Sequence, residues 1–216
     1  MLTGVDTRRS AVGRIIRFDR VQRAVHWANA LLFGILMVTA LPLYFPALAD
    51  VVGRRALVEN IHVWSGVVLP FPIVISLLGP WGKRMRQDFR RINVWTRDEV
   101  TWLRALGHKS PQVVDKFNPG QKLNAIFVGV AIVLTFATGF ILKWFRFFPV
   151  GWRTGATFVH DVLAFMIFAV VIGHIGFAVT HRDALRAMFK GWVTESWAAK
   201  HAPGWLAEEK AADVDS

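Results

Sequence analysis

Four long apolar segments dominate the chain and restrict it to one kind of fold. Each is long enough to cross about 30 Å of hydrocarbon at about 1.5 Å per helical residue. Because a bilayer offers no water to backbone N–H and C=O groups, each segment must be helical. The segments run from about Ala24 to Ala47, Asn60 to Trp81, Lys122 to Phe145 and Thr154 to Thr180. We therefore predict an all-α membrane protein with a bundle of four transmembrane helices, kinked locally at its internal prolines.

Composition agrees with a membrane protein and excludes several chemistries. The chain is 54% hydrophobic and carries a formal net charge of +11. A soluble nucleic-acid-binding protein would gather that charge on one face of a folded domain. Here the basic residues lie between the apolar segments, so we expect a lipid bilayer and no nucleic acid as partner. The chain has no cysteine, which excludes disulfides, iron–sulfur ligation by this chain and thioether-linked haem.

The distribution of basic residues predicts the orientation. Of the Lys and Arg residues, 21 lie before the first segment, between the second and third, or after the fourth, and 5 lie in the two opposite loops. Basic loops remain in the cytoplasm. Both termini and the middle loop are therefore predicted to be cytoplasmic, in a bacterial inner membrane. We expect a basic N-terminal segment over residues 1–23, the bundle over 24–180 and a cytoplasmic tail over 181–216.

The middle loop is itself patterned. From Arg84 to Lys116 it is basic and amphipathic, which favours a surface helix that meets anionic headgroups. A docking surface for a protein partner is the alternative interpretation.

Four histidines lie inside or at the mouths of the apolar segments, where ionisable residues are rare and usually functional. They are His26, His62, His160 and His174. The last two are 14 residues apart on one segment. That separation is about 40° short of four helical turns, so both rings leave the same face, about 21 Å apart along the axis.

The predicted orientation pairs these histidines by depth. His62 and His160 lie near the periplasmic face, and His26 and His174 lie near the cytoplasmic face. Each pair joins two helices, as a clamped porphyrin requires, and the residue one turn after each histidine is small: Ala30, Gly66, Ala164 and Ala178. We predict two non-covalent, bis-histidine haem b groups. Taken singly, each histidine could instead be an interfacial residue or donate to a carbonyl, but those alternatives do not explain the matched depths.

The motifs around these residues resemble the cytochrome b (gamma) subunit of membrane-bound respiratory formate dehydrogenase. The wider family includes the cytochrome b subunits of nickel–iron hydrogenases. The resemblance covers roughly Ile15 to Leu206, and Ala202 departs from tails that often carry a second histidine there. The motifs that carry the resemblance are RFDRVQRAVHWANA, NIHVWSG, VHD, FNPGQKLN, GHIGFAVTH and the tail GWVTESWAAKHAPGW.

The resemblance implies partners and a substrate beyond what spacing indicates. In that family a periplasmic molybdenum- or tungsten-pterin alpha subunit oxidises formate. Electrons pass through an iron–sulfur beta subunit to the periplasmic haem, the cytoplasmic haem and quinone. Asn118, Gly120 and Gln121 would line the quinone site beside the cytoplasmic haem; a turn with solvated amides is the alternative. Menaquinone and ubiquinone both fit the sequence.

Two rival functions remain open from the sequence. The same haem plan would serve the cytochrome b of a nickel–iron hydrogenase or of another membrane-bound oxidoreductase. In a different class, the histidines would carry protons in a non-redox transporter or scaffold.

Overall fold

A computed structural model describes residues 13–105 and 115–214, and the described chain is mainly helical. Two short strands and two single 3-10 turns complete it. The helices are α1 Arg20–Tyr44, α2 Pro46–Val52, α3 Arg55–Val68, α4 Phe71–Leu78, α5 Lys83–Asn93, α6 Arg97–Arg104, α7 Pro119–Lys143, α8 Val150–Thr180, α9 Arg182–Lys190, α10 Glu195–His201 and α11 Pro203–Val214. The strands are β1 Arg14–Ile16 and β2 Trp192–Thr194, and the 3-10 turns are Pro80–Gly82 and Phe145–Phe147.

In the part of the chain that the structure describes, four helical stretches are long and apolar enough to cross a membrane: Arg20–Tyr44, Arg55–Leu78, Pro119–Lys143 and Val150–Thr180. They coincide with the four predicted segments but begin three to five residues earlier. Capping explains two of these starts. Asp19 and Gln22 form a reciprocal capping box before α1, and Asn118 and Gln121 form another before α7. Such boxes satisfy backbone N–H groups that a hydropathy pattern does not detect.

The second span is interrupted at the prolines, as predicted. Its first helix ends at Val68 and its second begins at Phe71. At the break, the Asn29 side chain donates Nδ2–H to the backbone carbonyl of Leu69 at 3.2 Å. A buried side chain thus satisfies a carbonyl at the interruption, which is how membrane helices accommodate such breaks. Pro42, by contrast, remains inside α1.

The spans pack as two helix pairs. Helix α1 lies along α3, helix α7 lies along α8, and α3 contacts α7. Large apolar side chains point outward along the bundle, with Leu31, Val38 and Phe158 each about two-thirds exposed (66%, 67% and 69%). An apolar exterior is the pattern of a bundle that faces lipid and not water.

A short antiparallel sheet departs from the predicted all-α fold. Strand β1 pairs with β2 in the register Ile15↔Val193. Gly191 precedes β2 with φ +85°, and a Cβ there would lie 2.7 Å from the Phe18 carbonyl oxygen. Only glycine fits this turn without strain. Three-residue strands give little sequence signal because only their pairing partner, far along the chain, makes them strands.

The sheet belongs to a small apolar cluster built mostly by the tail. Val193, Ala198 and Trp205 are fully or almost fully buried there, with Ile15 and Phe18 packed against them. The N-terminal segment and the tail, separate in the sequence, therefore share one packed layer at the end of the bundle where α1 begins.

The middle loop forms two helices, α5 and α6, where the sequence suggested one surface helix. Residues Val94 to Thr96 separate them, because Thr96 and Glu99 make a capping box that starts α6. Both helices contact α7. His108 and the rest of 106–114 lie outside the described residues.

Candidate functional site

The four bundle histidines come together as two pairs on different helices. The rings of His62, on α3, and His160, on α8, have centroids 6.4 Å apart. The rings of His26, on α1, and His174, on α8, have centroids 6.2 Å apart. These are the two pairs that we predicted from the depth of each histidine in the membrane. The ring planes are inclined at 63° and 56° respectively.

Both separations fit a single metal ion between the rings. An imidazole nitrogen binds a metal at about 2.0–2.1 Å and lies about 1.1 Å from its own ring centroid. Two imidazoles on opposite sides of one ion therefore have centroids about 6.3 Å apart. Direct ring stacking would bring the centroids closer, as in the 3.8 Å contact between Phe177 and His181. The donor set suits haem iron, which takes axial imidazoles from two helices.

The His62–His160 pair lies in a cavity of about 410 Å³ between α1, α3, α7 and α8. Ligand cavities in proteins commonly measure about 300–1,000 Å³. Gly66 and Ala164, the small residues predicted one turn after these histidines, both line it. Gly139 lines it too, and a Cβ there would lie 3.5 Å from Cε1 of His160. Small residues thus leave room for a flat group beside the two rings.

Two threonines hold the rings of this pair, and sequence reasoning missed both. Thr39 Oγ1, on α1, lies 2.9 Å from His62 Nδ1. Thr138 Oγ1, on α7, lies 2.9 Å from His160 Nδ1. Asp161, the acidic neighbour of His160 in the sequence, is not the residue bonded to that nitrogen. The sequence signal that could have identified them is a hydroxyl inside an apolar span, because polar side chains there commonly make hydrogen bonds between helices.

The His26–His174 pair lies toward the end of the bundle where α1 and α7 begin. Near the start of α1, Arg23 donates to the Phe189 carbonyl (2.5 Å) and Trp27 donates to the Met188 carbonyl (3.2 Å). These bonds hold that end of α1 against α9, which follows α8. The His62–His160 cavity opens at the other end, where Lys143 pairs with Glu59 at 3.1 Å. The two histidine pairs therefore lie toward opposite ends of the bundle.

Asn118 and Gln121 both serve the cap of α7. Asn118 Oδ1 accepts from the Gln121 backbone N–H (2.9 Å), and Gln121 Oε1 accepts from the Asn118 backbone N–H (3.1 Å). The cap uses the side-chain oxygens, so it does not consume the amide NH₂ donors that a quinone carbonyl would need. Gly120 lies between them, and a Cβ there would approach Trp102 of α6 to 3.8 Å. The segment is both a helix start and a polar niche beside an aromatic ring.

A buried charged layer connects this niche to the start of α1. Lys116 Nζ donates to both carboxylate oxygens of Asp88 (2.8 and 2.6 Å), and Gln22 donates to Asp88 at 2.5 Å. Arg17 donates to the Lys116 carbonyl at 2.8 Å. A second buried pair joins Lys122 to Glu99 at 2.7 Å. These contacts place Asn118 at the same end of the bundle as His26.

Burial dominates the electrostatics of this layer. It raises the pKa of Asp88, although Lys116 and Gln22 oppose the shift. It lowers the pKa of Lys116 despite the neighbouring carboxylate. It also lowers the pKa of Arg17 to about 10. Desolvation therefore outweighs the attraction between these charges.

Two further histidines take no part in either pair. His181 and His201 are exposed and bond through Nδ1 to carbonyls of Phe177 (2.9 Å) and Trp197 (3.0 Å), one turn earlier. Both therefore lie outside the bundle interior.

Comparison with known proteins identifies the family. The family model described as prokaryotic cytochrome b561 matches residues 17–191. The chain belongs to the prokaryotic cytochrome b561 family. The matched residues include all four bundle histidines and the FNPGQK segment, and membership of a cytochrome b family implies haem b as the cofactor.

Curated relatives narrow the similarity within the family. The formate dehydrogenase cytochrome b556 subunit of Haemophilus influenzae is 30% identical over 206 residues, covering 91% of this chain and 84% of the relative. The formate dehydrogenase cytochrome b556(fdo) subunit of Escherichia coli strain K12 is 27% identical over 205 residues, covering 90% and 92%. The nitrate-inducible counterpart in that strain is 22% identical over 208 residues. The resemblance stated from the motifs is thereby confirmed.

Proposed function

We propose that this protein is the dihaem cytochrome b subunit of a membrane-bound formate dehydrogenase, and that it carries electrons across the membrane to quinone. The observation that carries the proposal is the pairing of histidines from different helices at 6.4 and 6.2 Å, toward opposite ends of one bundle. The formate dehydrogenase relatives, similar over nine-tenths of this chain, support the choice of complex.

Each histidine has a defined role in this proposal. His62 and His160 would hold one haem b, and His26 and His174 would hold the other. Haem b supplies one-electron transfer when bound, with a potential set by its ligands and their surroundings. The chain holds each ligand on a rigid helix, and its apolar walls exclude water. The His62–His160 site accepts electrons, since the charge of the loops assigns it to the periplasmic side.

Quinone binds near the other histidine pair, at Asn118, Gly120 and Gln121. The amide NH₂ groups of Asn118 and Gln121 donate hydrogen bonds to a quinone oxygen, and Gly120 leaves space between them. This niche lies on the predicted cytoplasmic side. Protons for quinol then come from the cytoplasm while electrons enter from the periplasm, so the reaction separates charge without a proton pump.

The proposed partners follow from the resemblance to formate dehydrogenase subunits. An iron–sulfur beta subunit delivers electrons, and a molybdenum- or tungsten-pterin alpha subunit oxidises formate. The assembly lies in the bacterial inner membrane, with the basic termini and α5 and α6 on the cytoplasmic side. This chain is the electron-transferring and quinone-reducing subunit, and formate oxidation belongs to the alpha subunit.

Haem content and co-purification test the proposal together. We expect pyridine haemochrome analysis of the purified complex to give two haem b per chain, without thioether linkage, and formate to reduce both. One haem per chain would refute the two-site assignment, and none would favour a histidine-containing transporter. A nickel–iron subunit among the co-purified proteins would redirect the proposal to a hydrogenase.

A further inference from the structure

The hydroxyl groups of Thr39 and Thr138 occupy equivalent positions on two different helices. Thr39 Oγ1 lies 2.7 Å from the Ile35 carbonyl oxygen, and Thr138 Oγ1 lies 2.7 Å from the Leu134 carbonyl oxygen. Each also lies 2.9 Å from Nδ1 of one histidine of the same pair. Helices α1 and α7 thus each contact one ring through a threonine hydroxyl that also bonds the carbonyl one turn earlier in its own helix.

The number of hydrogen atoms fixes the direction of these bonds. Two oxygen atoms 2.7 Å apart need a hydrogen between them, and a backbone carbonyl has none to give. The threonine hydroxyl has a single proton, so it donates that proton to the carbonyl one turn earlier. Its lone pair then faces the histidine, and the only bond left at 2.9 Å is one in which Nδ1–H donates to Oγ1.

A neutral imidazole that carries its proton on Nδ1 has its lone pair on Nε2. Two such rings with centroids 6.4 Å apart can each present Nε2 to one ion. We infer that Thr39 and Thr138 are positioning residues that hold His62 and His160 in the Nδ1–H tautomer, ready to bind iron through Nε2. The inference rests on the proposed haem site and assigns the residues that set its ligand geometry.

The second pair is built differently. Among the described residues, no hydrogen bond reaches a ring nitrogen of His26 or His174, and His174 is exposed. A hydrogen bond accepted from Nδ1–H makes the imidazole a stronger electron donor and favours ferric over ferrous iron. The threonines therefore lower the potential of the haem at His62 and His160 and leave the other haem unaffected, which makes the second haem an internal reference.

The test is a redox titration of the intact complex carrying Thr39→Val or Thr138→Val. Loss of the acceptor is expected to shift the ferrous-to-ferric ratio of one haem about three- to tenfold toward ferrous, which a one-electron couple shows as a rise of about 30–60 mV. Both variants should move the same component, namely the one removed by His62→Ala. The low-spin EPR signal of that haem should also change, because without the threonine hydroxyl the imidazole ring is free to rotate.

Three further substitutions separate positioning from packing. Thr39→Ser and Thr138→Ser keep the hydroxyl and should retain the wild-type potential and haem content. Thr135→Val is the matched control for loss of a hydroxyl from the same cavity: Thr135 Oγ1 makes the same 2.7 Å bond to a carbonyl one turn earlier, that of Ala131, and that hydroxyl bonds no histidine, whereas the Thr135 backbone, which contacts His160, is unchanged by the substitution. The potential of the haem at His62 and His160 in Thr135→Val should remain that of the wild type.

Each result decides between alternatives. Loss of the haem in a valine variant with retention in the serine variant supports the inference, as does a shifted potential with full occupancy. An unchanged potential in both valine variants, an equal shift in Thr135→Val, or haem loss in valine and serine variants alike would overturn it. A wild-type complex without haem, or one whose haems survive His62→Ala, would instead refute the proposed function.

Discussion

The buried pair Asp88–Lys116 makes a quantitative prediction about stability. The side chains are 8% and 4% exposed and their charged atoms are 2.6 Å apart. Removing one partner leaves a buried charge without compensation, which typically costs about 3–5 kcal/mol. We expect Asp88→Leu and Lys116→Met each to lower the free energy of unfolding by about that amount. Asp88→Leu also deprives Gln22 of its acceptor.

The double variant should behave differently from the sum of its parts. With both charges replaced by apolar side chains, neither member of the pair is left as an uncompensated buried charge, and such replacements are often neutral or stabilising. Arg17 still loses the attraction of Asp88, and Gln22 still loses its acceptor. We therefore expect Asp88→Leu/Lys116→Met to recover part of the loss and to be more stable than either single variant, with a remaining cost of about 1–3 kcal/mol for the unsatisfied donor of Gln22. The pKa directions agree with this expectation, because burial opposes both charged forms more strongly than their mutual attraction supports them.

The same shifts set the pH dependence of wild-type stability. The raised pKa of Asp88 means that the folded state holds its proton more tightly than the unfolded state, so stability falls as pH rises from the ordinary value of 3.8 through the raised pKa. The lowered pKa of Lys116 means that stability rises with pH between the lowered value and 10.5. The double variant should lose both contributions.

The assay is reversible unfolding in mixed detergent micelles, followed by far-UV circular dichroism. Asp183→Asn is the control, because its pair with Arg186 is 47% and 31% exposed and exposed pairs contribute about 0–1 kcal/mol. A single variant within 1 kcal/mol of the wild type would contradict the reasoning. So would a double variant that loses as much as the two single variants added together.

Two further predictions concern the ligands. His62→Ala and His160→Ala should abolish the same haem component in redox titration, while substitutions in the other pair abolish the second; a component shared across the pairs would contradict the assignment. Replacing Asn118 or Gln121 by leucine should remove hydrogen bonds worth about 1.5–3 kcal/mol to a charged quinone oxygen, and so slow haem reoxidation by quinone about 10–100-fold. Dye-linked formate oxidation should stay normal. Asn118→Asp keeps a capping oxygen but loses the NH₂ donors, and normal reoxidation in that variant would leave the segment as a helix cap.

Much of the bundle could be predicted from sequence, because apolar length alone decides what spans a bilayer. The four spans and the interruption at Pro70 and Pro72 followed from hydropathy and proline chemistry. The helix starts at Arg20 and Pro119 did not, since hydropathy detects the hydrocarbon boundary and not the cap. The capping pairs Asp19–Gln22 and Asn118–Gln121 were visible in the sequence as signals at a spacing of three residues.

The candidate ligands could also be chosen from the sequence. Four histidines at the right depths suffice to propose two pairs, and the structure places those rings 6.2 and 6.4 Å apart. Their role as haem ligands stays a prediction. Spacing gives depth because a helix has a fixed rise per residue, so a sequence can determine which histidines lie at the same level.

Tertiary structure alone decided what surrounds them. Thr39 is hydrogen-bonded to His62, 23 residues away in the sequence, and Gln22 is hydrogen-bonded to Asp88, 66 residues away. The pairing of β1 with β2 likewise joins segments at opposite ends of the chain. No local pattern encodes which face of one helix meets which face of another, because that choice depends on side-chain packing summed over the whole bundle. Sequence determined the helices and the depth of each histidine, whereas packing determined the hydroxyl groups and buried charges that neighbour them.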